Sequence, residues 1–182
     1  DNAVLFLGNS MCVRNVDRWG GVSAGQITTL ISRGTSGIDG TIAQASGASA
    51  AVNRPTIVLL GDQALLHDLN SLALAKKERV LIVVLNNDGG RIFHRLPISK
   101  QKDVFGEFFV GPQGFTFEHA AAQFGIEHHV ATSLDLVEEV VRRYSTEREP
   151  AIIEVPIEHG HNEELRHELE STISKALKSK SF

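Results

Sequence analysis

The chain has 182 residues, with 18 Lys and Arg against 22 Asp and Glu for a formal net charge of −4, and it is 42% apolar and 22% charged. This is the composition of an ordinary globular domain, large enough for a real core, and it excludes disordered, collagenous and membrane-embedded classes. The acidic balance leaves no basic footprint for nucleic acid, and no apolar run approaches the ~18 residues of a membrane span. The single cysteine, Cys12, permits no disulfide within the chain and favours a cytoplasmic location.

The chain opens at Asp1 rather than Met, and residues 3–7 already read as a buried strand. An opening in mid-core is expected of a processed leader or tag, or of the carboxyl-terminal part of a longer multidomain chain. Gly8-Asn9-Ser10 forms a polar loop, residues 27–31 a second strand, and Ala-rich residues 39–52 a helix. Residues 56–60 form a strand stopped by Gly61-Asp62, and Leu65, Leu69 and Leu72 then recur at helical spacing. Residues 80–85 are six apolar residues in a row, a strand buried on both faces, ending at Asn86-Asn87-Asp88-Gly89-Gly90. Residues 99–114 make the longest irregular stretch, expected to be a mobile loop. Thr116 is placed to cap a helix through Phe124, with Gly125 ending it, and Ser133 to cap a second with its stripe at Val137, Val140, Val141 and Tyr144. Residues 151–156 form another buried strand, and Leu165, Leu169, Ile173 and Leu177 one face of a terminal helix.

Strand–helix alternation of this kind predicts a single α/β domain over residues 1–182: three layers, a doubly wound, mainly parallel sheet with helices on both faces. Ligands of such sheets bind outside the carboxyl ends of the strands. Two strong strands deliver unusual polar tips there. Asp62 offers a carboxylate, Asn87 an amide oxygen, and Gly89 a carbonyl that a side chain would otherwise crowd. Hard oxygen donors, few and partly neutral, suit a Mg²⁺ that keeps phosphate oxygens and water as its other ligands. Two unrelated turns would use the same residue types, so the residues alone leave both readings open.

Gly61-Asp62 followed by Asn86-Asn87 resembles the Gly-Asp…Asn-Asn motif of thiamine diphosphate enzymes. Further stretches are similar to the carboxyl-terminal domain of the 2-succinyl-5-enolpyruvyl-6-hydroxy-3-cyclohexene-1-carboxylate synthases of menaquinone biosynthesis. They are Gly8-Asn9-Ser10 with Arg14, the run from Arg33 to Gly40, Asp68-Leu69-Asn70, Gly89-Gly90-Arg91-Ile92-Phe93 with Leu96-Pro97, and Phe117-Glu118-His119-Ala120-Ala121. The resemblance implies an enzyme that decarboxylates 2-oxoglutarate and adds the resulting carbanion to isochorismate, with thiamine diphosphate and Mg²⁺ (or Mn²⁺) as cofactors. It implies metal ligation by Asp62, Asn87 and the Gly89 carbonyl. It implies cofactor contacts at Ser36, Gly37, Ile38, Gly61, Asp62, Gln63, Ala64, Asn87, Ile92 and Phe93, with Ile38 the apolar support beneath the cofactor. Ser10, Arg14, Arg33, Ile92 and Phe93 would line the substrate pocket, and Arg forks suit carboxylate substrates.

Two departures accompany the resemblance. Ala64 stands where family members often carry a small hydroxyl residue near the diphosphate, so backbone donors must suffice there. The Glu that activates the cofactor belongs, in the family, to an amino-terminal domain of a neighbouring subunit, so catalysis is expected to need that domain and a homo-oligomer. Another thiamine carboligase of the acetohydroxyacid synthase type and a non-catalytic cofactor-binding or assembly module are the rival readings. His128-His129 and His159-Gly160-His161 lack the spacing of zinc motifs, Cys12 reads as a small buried apolar residue, and the run from Gly34 to Gly40 lacks the Lys of a nucleoside triphosphate loop.

Overall fold

Leu81, Ile82, Val83 and Val84 follow one another without a polar residue, so the strand they form must be covered on both faces. In the computed structural model, which describes residues 2–21 and 27–179, that strand is β4 (Leu81–Asn86), lying between β3 (Thr56–Gly61) and β6 (Ala151–Pro156). β1 (Val4–Leu7) and β2 (Thr28–Ile31) extend the sheet beyond β3, and β5 (Glu127–Val130) forms the far edge. The order is β2-β1-β3-β4-β6-β5, and every neighbouring pair is parallel. The expected doubly wound sheet is present, and it is parallel throughout rather than mainly so.

Helices cover both faces. On one, α2 (Thr41–Val52), α3 (Asp62–His67), α4 (Leu72–Lys77) and α6 (Glu118–Phe124) bury Ile42, Ala45, Leu65, Leu72, Ala75 and Ala121 against Phe6, Val58, Leu60, Ile82 and Ile152. On the other, α7 (Leu134–Glu147) packs Val140 and Tyr144 on Leu81, Val83 and Ile153. α1 (Met11–Trp19) connects β1 to β2 in the direction opposite to the crossover that follows, so a right-handed connection sets it on the α7 face. α8 (His159–Ser179) is tied to it through Arg18 and Glu170, 2.8 Å apart.

Three local expectations change. The Leu65, Leu69, Leu72 periodicity is not one helix: α3 ends at His67, and a 3₁₀ turn at Leu69–Ser71 precedes α4. Asp68 interrupts it because its carboxylate serves another element, accepting the Ile42 and Ala43 N–H groups of α2 at 2.6 and 3.0 Å and the Ser71 hydroxyl at 2.6 Å. Residues 99–114 are irregular only from Gly111 onward: Pro97–Lys100, α5 (Lys102–Val104) and a π-helical turn at Phe105–Val110 are held together by ring contacts of Phe93, His94, Phe105 and Phe109. Turns that short show no periodicity in sequence. Thr116 does not cap α6; Phe117 occupies the cap position, and its N–H goes to the Glu154 carboxylate at 2.9 Å. Ser133 does hold the cap position of α7, without a side-chain bond. β5 had no sequence signal, because Glu-His-His-Val offers neither alternation nor an apolar run; its place comes from pairing with β6.

The direction of the chain reverses between β1 and β3: β1 is followed by its left-hand neighbour β2, while β3 lies on its right. A crevice opens at such a switch point, above the carboxyl ends of the strands. Ser10, Asp62 and Asn87 all follow strands that end there.

Tyr144 locks the opposite end of the sheet. Its buried hydroxyl accepts the Thr56 N–H at 3.0 Å and lies 2.9 and 2.6 Å from the Thr56 and Arg79 carbonyls, joining α7 to the entrances of β3 and β4. Tyr144→Phe leaves these groups short of a partner, a loss of about 1–3 kcal/mol. Thermal unfolding is expected to show it as a midpoint lowered by several degrees, with far-UV circular dichroism unchanged.

Candidate functional site

β3 and β4 are paired with Gly61 opposite Leu85, so Asp62 and the Asn86–Asn87 turn leave the sheet side by side. Asp62 is 5% exposed. Its Oδ2 accepts the Gly89 N–H at 2.7 Å and the Gln63 amide at 3.2 Å. Burial raises the Asp62 carboxyl above its ordinary value, against the lowering effect of those donors. Gly89 has φ +119°, and a Cβ there would sit 2.2 Å from the Val110 carbonyl oxygen. Only glycine fits this turn. Its neighbour Gly90 donates its N–H to the same carbonyl at 2.7 Å.

The end of the Asn87 side-chain amide lies against two oxygens, the Gly89 carbonyl at 2.9 Å and Asp62 Oδ1 at 3.3 Å. With its nitrogen towards them the amide donates to both and satisfies all three groups without an ion. With its oxygen towards them it would bring three acceptors together with no hydrogen between them, the arrangement a cation requires. Octahedral Mg²⁺, with ligands at about 2.1 Å, spaces neighbouring ligands about 3 Å apart. The donor set therefore fits a hard divalent cation on three of its positions. Among the described residues no three His, Cys, Asp or Glu side chains form such a group; here the carboxylate's companions are an amide and a carbonyl. His128 and His129 face carboxylates instead, Glu154 at 2.8 Å and Glu127 at 3.2 Å, and the His159 side chain lies outside the described residues.

These oxygens lie in a cavity of about 630 Å³ that Ser10, Arg14, Arg33, Ser36, Ile38, Gly61, Gln63, Ala64, Ile92 and Phe93 also line. Gly37 does not line it; its carbonyl accepts the Asn9 amide at 2.6 Å. Asn9, 5% exposed, also holds the Arg33 guanidinium at 2.9 Å and so ties the β1 tip to the run from Arg33 to Ile38. Ser10 adopts φ 66°, ψ −128°, a conformation that L residues rarely take, and its carbonyl accepts Arg14 Nη1 at 2.5 Å. Ile38 packs against the core beneath α2. Cys12 reaches the cavity too, but burial, with the Asp62 charge second, pushes its thiol up to about 12, so it carries no thiolate at neutral pH.

Sequence reasoning missed part of the wall. Arg91, Arg95 and Arg166 join Arg14 and Arg33, against only two carboxylates, Asp62 and Glu163. A chain of net charge −4 therefore presents a basic cavity. Arg91 braces the turn after β4 through the Asn87 carbonyl at 2.9 Å, and Arg95 reaches Glu170 of α8 at 3.0 Å. Arg91 lies within a quoted motif stretch, whereas Arg166 is brought from the terminal helix by tertiary packing and had no signal of its own.

A switch-point cavity with oxygen groups at its head and basic walls suits an anionic ligand. The chain belongs to the thiamine pyrophosphate enzymes, matching their C-terminal TPP binding domain family over residues 21–155. More particularly, it is 43% identical over 174 residues to a 2-succinyl-5-enolpyruvyl-6-hydroxy-3-cyclohexene-1-carboxylate synthase of Chlorobium limicola, covering 93% of this chain and 30% of that protein. It is 39% identical over 173 residues to the synthase of that name from Salinibacter ruber, covering 95% of this chain and 29% of that protein. The chain thus spans about a third of the length of these curated relatives. The crystal structure of benzoylformate decarboxylase from Polynucleobacter necessarius shares the fold, with a TM-score of 0.67 at 15% identity over 87% of this chain and 30% of that one.

A buried carboxyl with a raised pKa contributes stability that is complete in acid and is lost as the pH rises through the raised value. Asp62→Asn removes that penalty and sets an amide donor towards Asn87. In chelator at neutral pH the variant is expected to unfold at a urea midpoint no lower than the parent's. Added Mg²⁺ should raise the parent's midpoint and leave the variant's unchanged.

Proposed function

We propose that this chain is the diphosphate-binding domain, and the carboxyl-terminal part, of a thiamine diphosphate-dependent synthase. The enzyme would decarboxylate 2-oxoglutarate and join the product to isochorismate in menaquinone biosynthesis. The observation that carries the reading is the meeting of the Asp62 carboxylate, the Asn87 amide and the Gly89 carbonyl at the head of a cavity walled by arginines. The names of the relatives support the choice of reaction.

Asp62 Oδ1, Asn87 Oδ1 and the Gly89 carbonyl would hold Mg²⁺ or Mn²⁺, which offsets the diphosphate charge. Thiamine diphosphate, when bound, supplies the electron sink for decarboxylation. Ala64 offers no hydroxyl, so backbone N–H groups at the start of α3 would have to meet the phosphate oxygens there. Ser36 and Gly61 would lie against the cofactor, with Gly37 holding the loop through Asn9, Ile38 would support it from the core side, and Ile92 and Phe93 would keep water from it. Ser10, Arg14 and Arg33 would receive the substrate carboxylates; the Arg33 bond to Asn9 leaves the rest of its fork for a ligand.

The activating Glu and the second half of the cofactor pocket would come from an amino-terminal domain, carried by a second copy in a homo-oligomer. Phe108, 71% exposed on the wall of the cavity, is part of the apolar surface that domain would cover. No helix among the described residues is long and apolar enough to cross a membrane. One buried cysteine suits a reducing compartment, and we read the location as cytoplasmic.

Calorimetry on the intact protein tests the cofactor assignment: Asp62→Ala should weaken thiamine diphosphate binding sharply, and equal affinities would sink it. Arg33→Lys keeps the charge and loses the fork, so kcat/KM for at least one carboxylate substrate should fall by about tenfold or more, the loss of a charge-assisted bond of about 1.5–3 kcal/mol. Residues 1–182 alone, with Mg²⁺ and thiamine diphosphate, should show no turnover. Rates near the ~1–1000 per second of ordinary enzymes would make the amino-terminal domain dispensable.

A further inference from the structure

Glu154 is the most deeply buried carboxylate described, at 2% exposure, and it takes no part in the site derived above. It sits on β6, beside Val84 of β4, one strand away from the Asn86–Gly90 turn. Three donors converge on its two oxygens. Asn86 Nδ2 reaches Oε1 at 2.7 Å, and the Phe117 N–H and His128 Nε2 reach Oε2 at 2.9 and 2.8 Å. A carboxylate offers acceptors only, so His128 presents its hydrogen on Nε2.

The consequence lies on the far side of Asn86. With its nitrogen held by Glu154, and more weakly by the Phe115 carbonyl at 3.2 Å, its Oδ1 is turned to accept the Asp88 N–H at 3.1 Å. Its own carbonyl accepts the Ile157 N–H at 2.7 Å, so the residue is fixed at both ends. Asp88 in turn has φ 58° and accepts the Gln113 and Gly114 N–H groups, each at 2.8 Å. Asn87 and Gly89, which both meet Asp62, sit on either side of Asp88 in the turn that this chain of bonds closes.

We propose that Glu154 is a positioning residue for the cation site: it fixes the polarity of the Asn86 amide, and through it the aim of the Asn87 and Gly89 oxygens. This rests on the reading of Asp62, Asn87 and Gly89 as cation ligands. The dependence is one of donor and acceptor identity, not of shape. In Glu154→Gln one oxygen becomes an amide donor. If the remaining oxygen serves Phe117 and His128, the new N–H₂ meets Asn86 Nδ2, donor against donor. Asn86 escapes only by turning over, which withdraws Oδ1 from the Asp88 N–H. Adding Asn86→Asp restores the match, because a carboxylate at 86 accepts from both the new amide and the Asp88 N–H, losing only the longer bond to Phe115.

The test is calorimetric titration of Mg²⁺ into the intact protein at saturating thiamine diphosphate, beside urea unfolding of each variant in chelator. Groups that orient metal ligands are typically worth 10–100-fold in affinity, so Glu154→Gln should raise the Mg²⁺ Kd by about 10–100-fold. The pair Asn86→Asp with Glu154→Gln should recover most of that loss. A variant that only loosens the fold would lower the urea midpoint and leave the Kd of the folded protein unchanged, and that result would overturn the proposal. Should Glu154→Gln not fold, the double variant decides: near-parent affinity supports the positioning role, and failure to fold or weak binding overturns it. Asp62→Ala separates the two readings. If it binds Mg²⁺ like the parent, the cation site itself is wrong; if it loses binding while Glu154→Gln keeps it, only the role of Glu154 falls.

Discussion

Asp62 leaves the end of β3 with its carboxylate almost wholly withdrawn from water, and an ion in that position needs donors or a cation close by. Oδ2 is met by the Gly89 N–H and the Gln63 amide, and Oδ1 lies 3.3 Å from the end of the Asn87 amide. Much of the surrounding structure follows from those contacts. The Gly89 N–H can reach Asp62 only because the 86–90 turn folds back over the neighbouring strand end, and the turn can pass there only because residue 89 has no side chain to strike Val110. The parallel pairing of β3 with β4 supplies the adjacency, since both strands present their carboxyl ends to one edge.

Around this centre the molecule separates sheet polarity from charge. The amino ends of β3 and β4 are closed by Tyr144 and a packed helix, while the carboxyl ends open into a cavity where arginines outnumber carboxylates. Glu170 of α8 spans Arg18 of α1 and Arg95 of the turn after β4, at 2.8 and 3.0 Å, and so draws two walls of the cavity together. Both contacts are exposed, so their worth lies more in geometry than in stability.

The core strands, the alternation that implies a parallel sheet, and the polar tips at Asp62 and Asn87 were legible from residue order. Each is a local pattern: an unbroken apolar run, a period of 3.6, a Gly-Asp or Asn-Asn stop. Asn9 carries a signal only as part of a motif, and Arg95, Arg166, Glu154 and β5 carry none. None of them has a local signature, because what defines each is a partner far along the chain: Asn9 with Gly37, Glu154 with Asn86 and His128, β5 with β6. Helix breaks behaved the same way. Leu65, Leu69 and Leu72 keep helical spacing through a stretch that is not one helix, because Asp68 is drawn to the first turn of α2.

Sequence by itself therefore determined the class of fold and the residue types at the strand ends, a carboxylate at Asp62, an amide at Asn87 and a glycine at position 89, since these depend on side-chain type and short-range period. Tertiary structure alone decided that the Asp62 carboxylate, the Asn87 amide and the Gly89 carbonyl meet, that the cavity is basic although the chain is acidic, and that a buried glutamate on β6 holds the Asn86 amide beside them. Convergence is a property of strand order and register. Those are set by how helices and sheet bury their apolar faces together, which no window of the sequence contains.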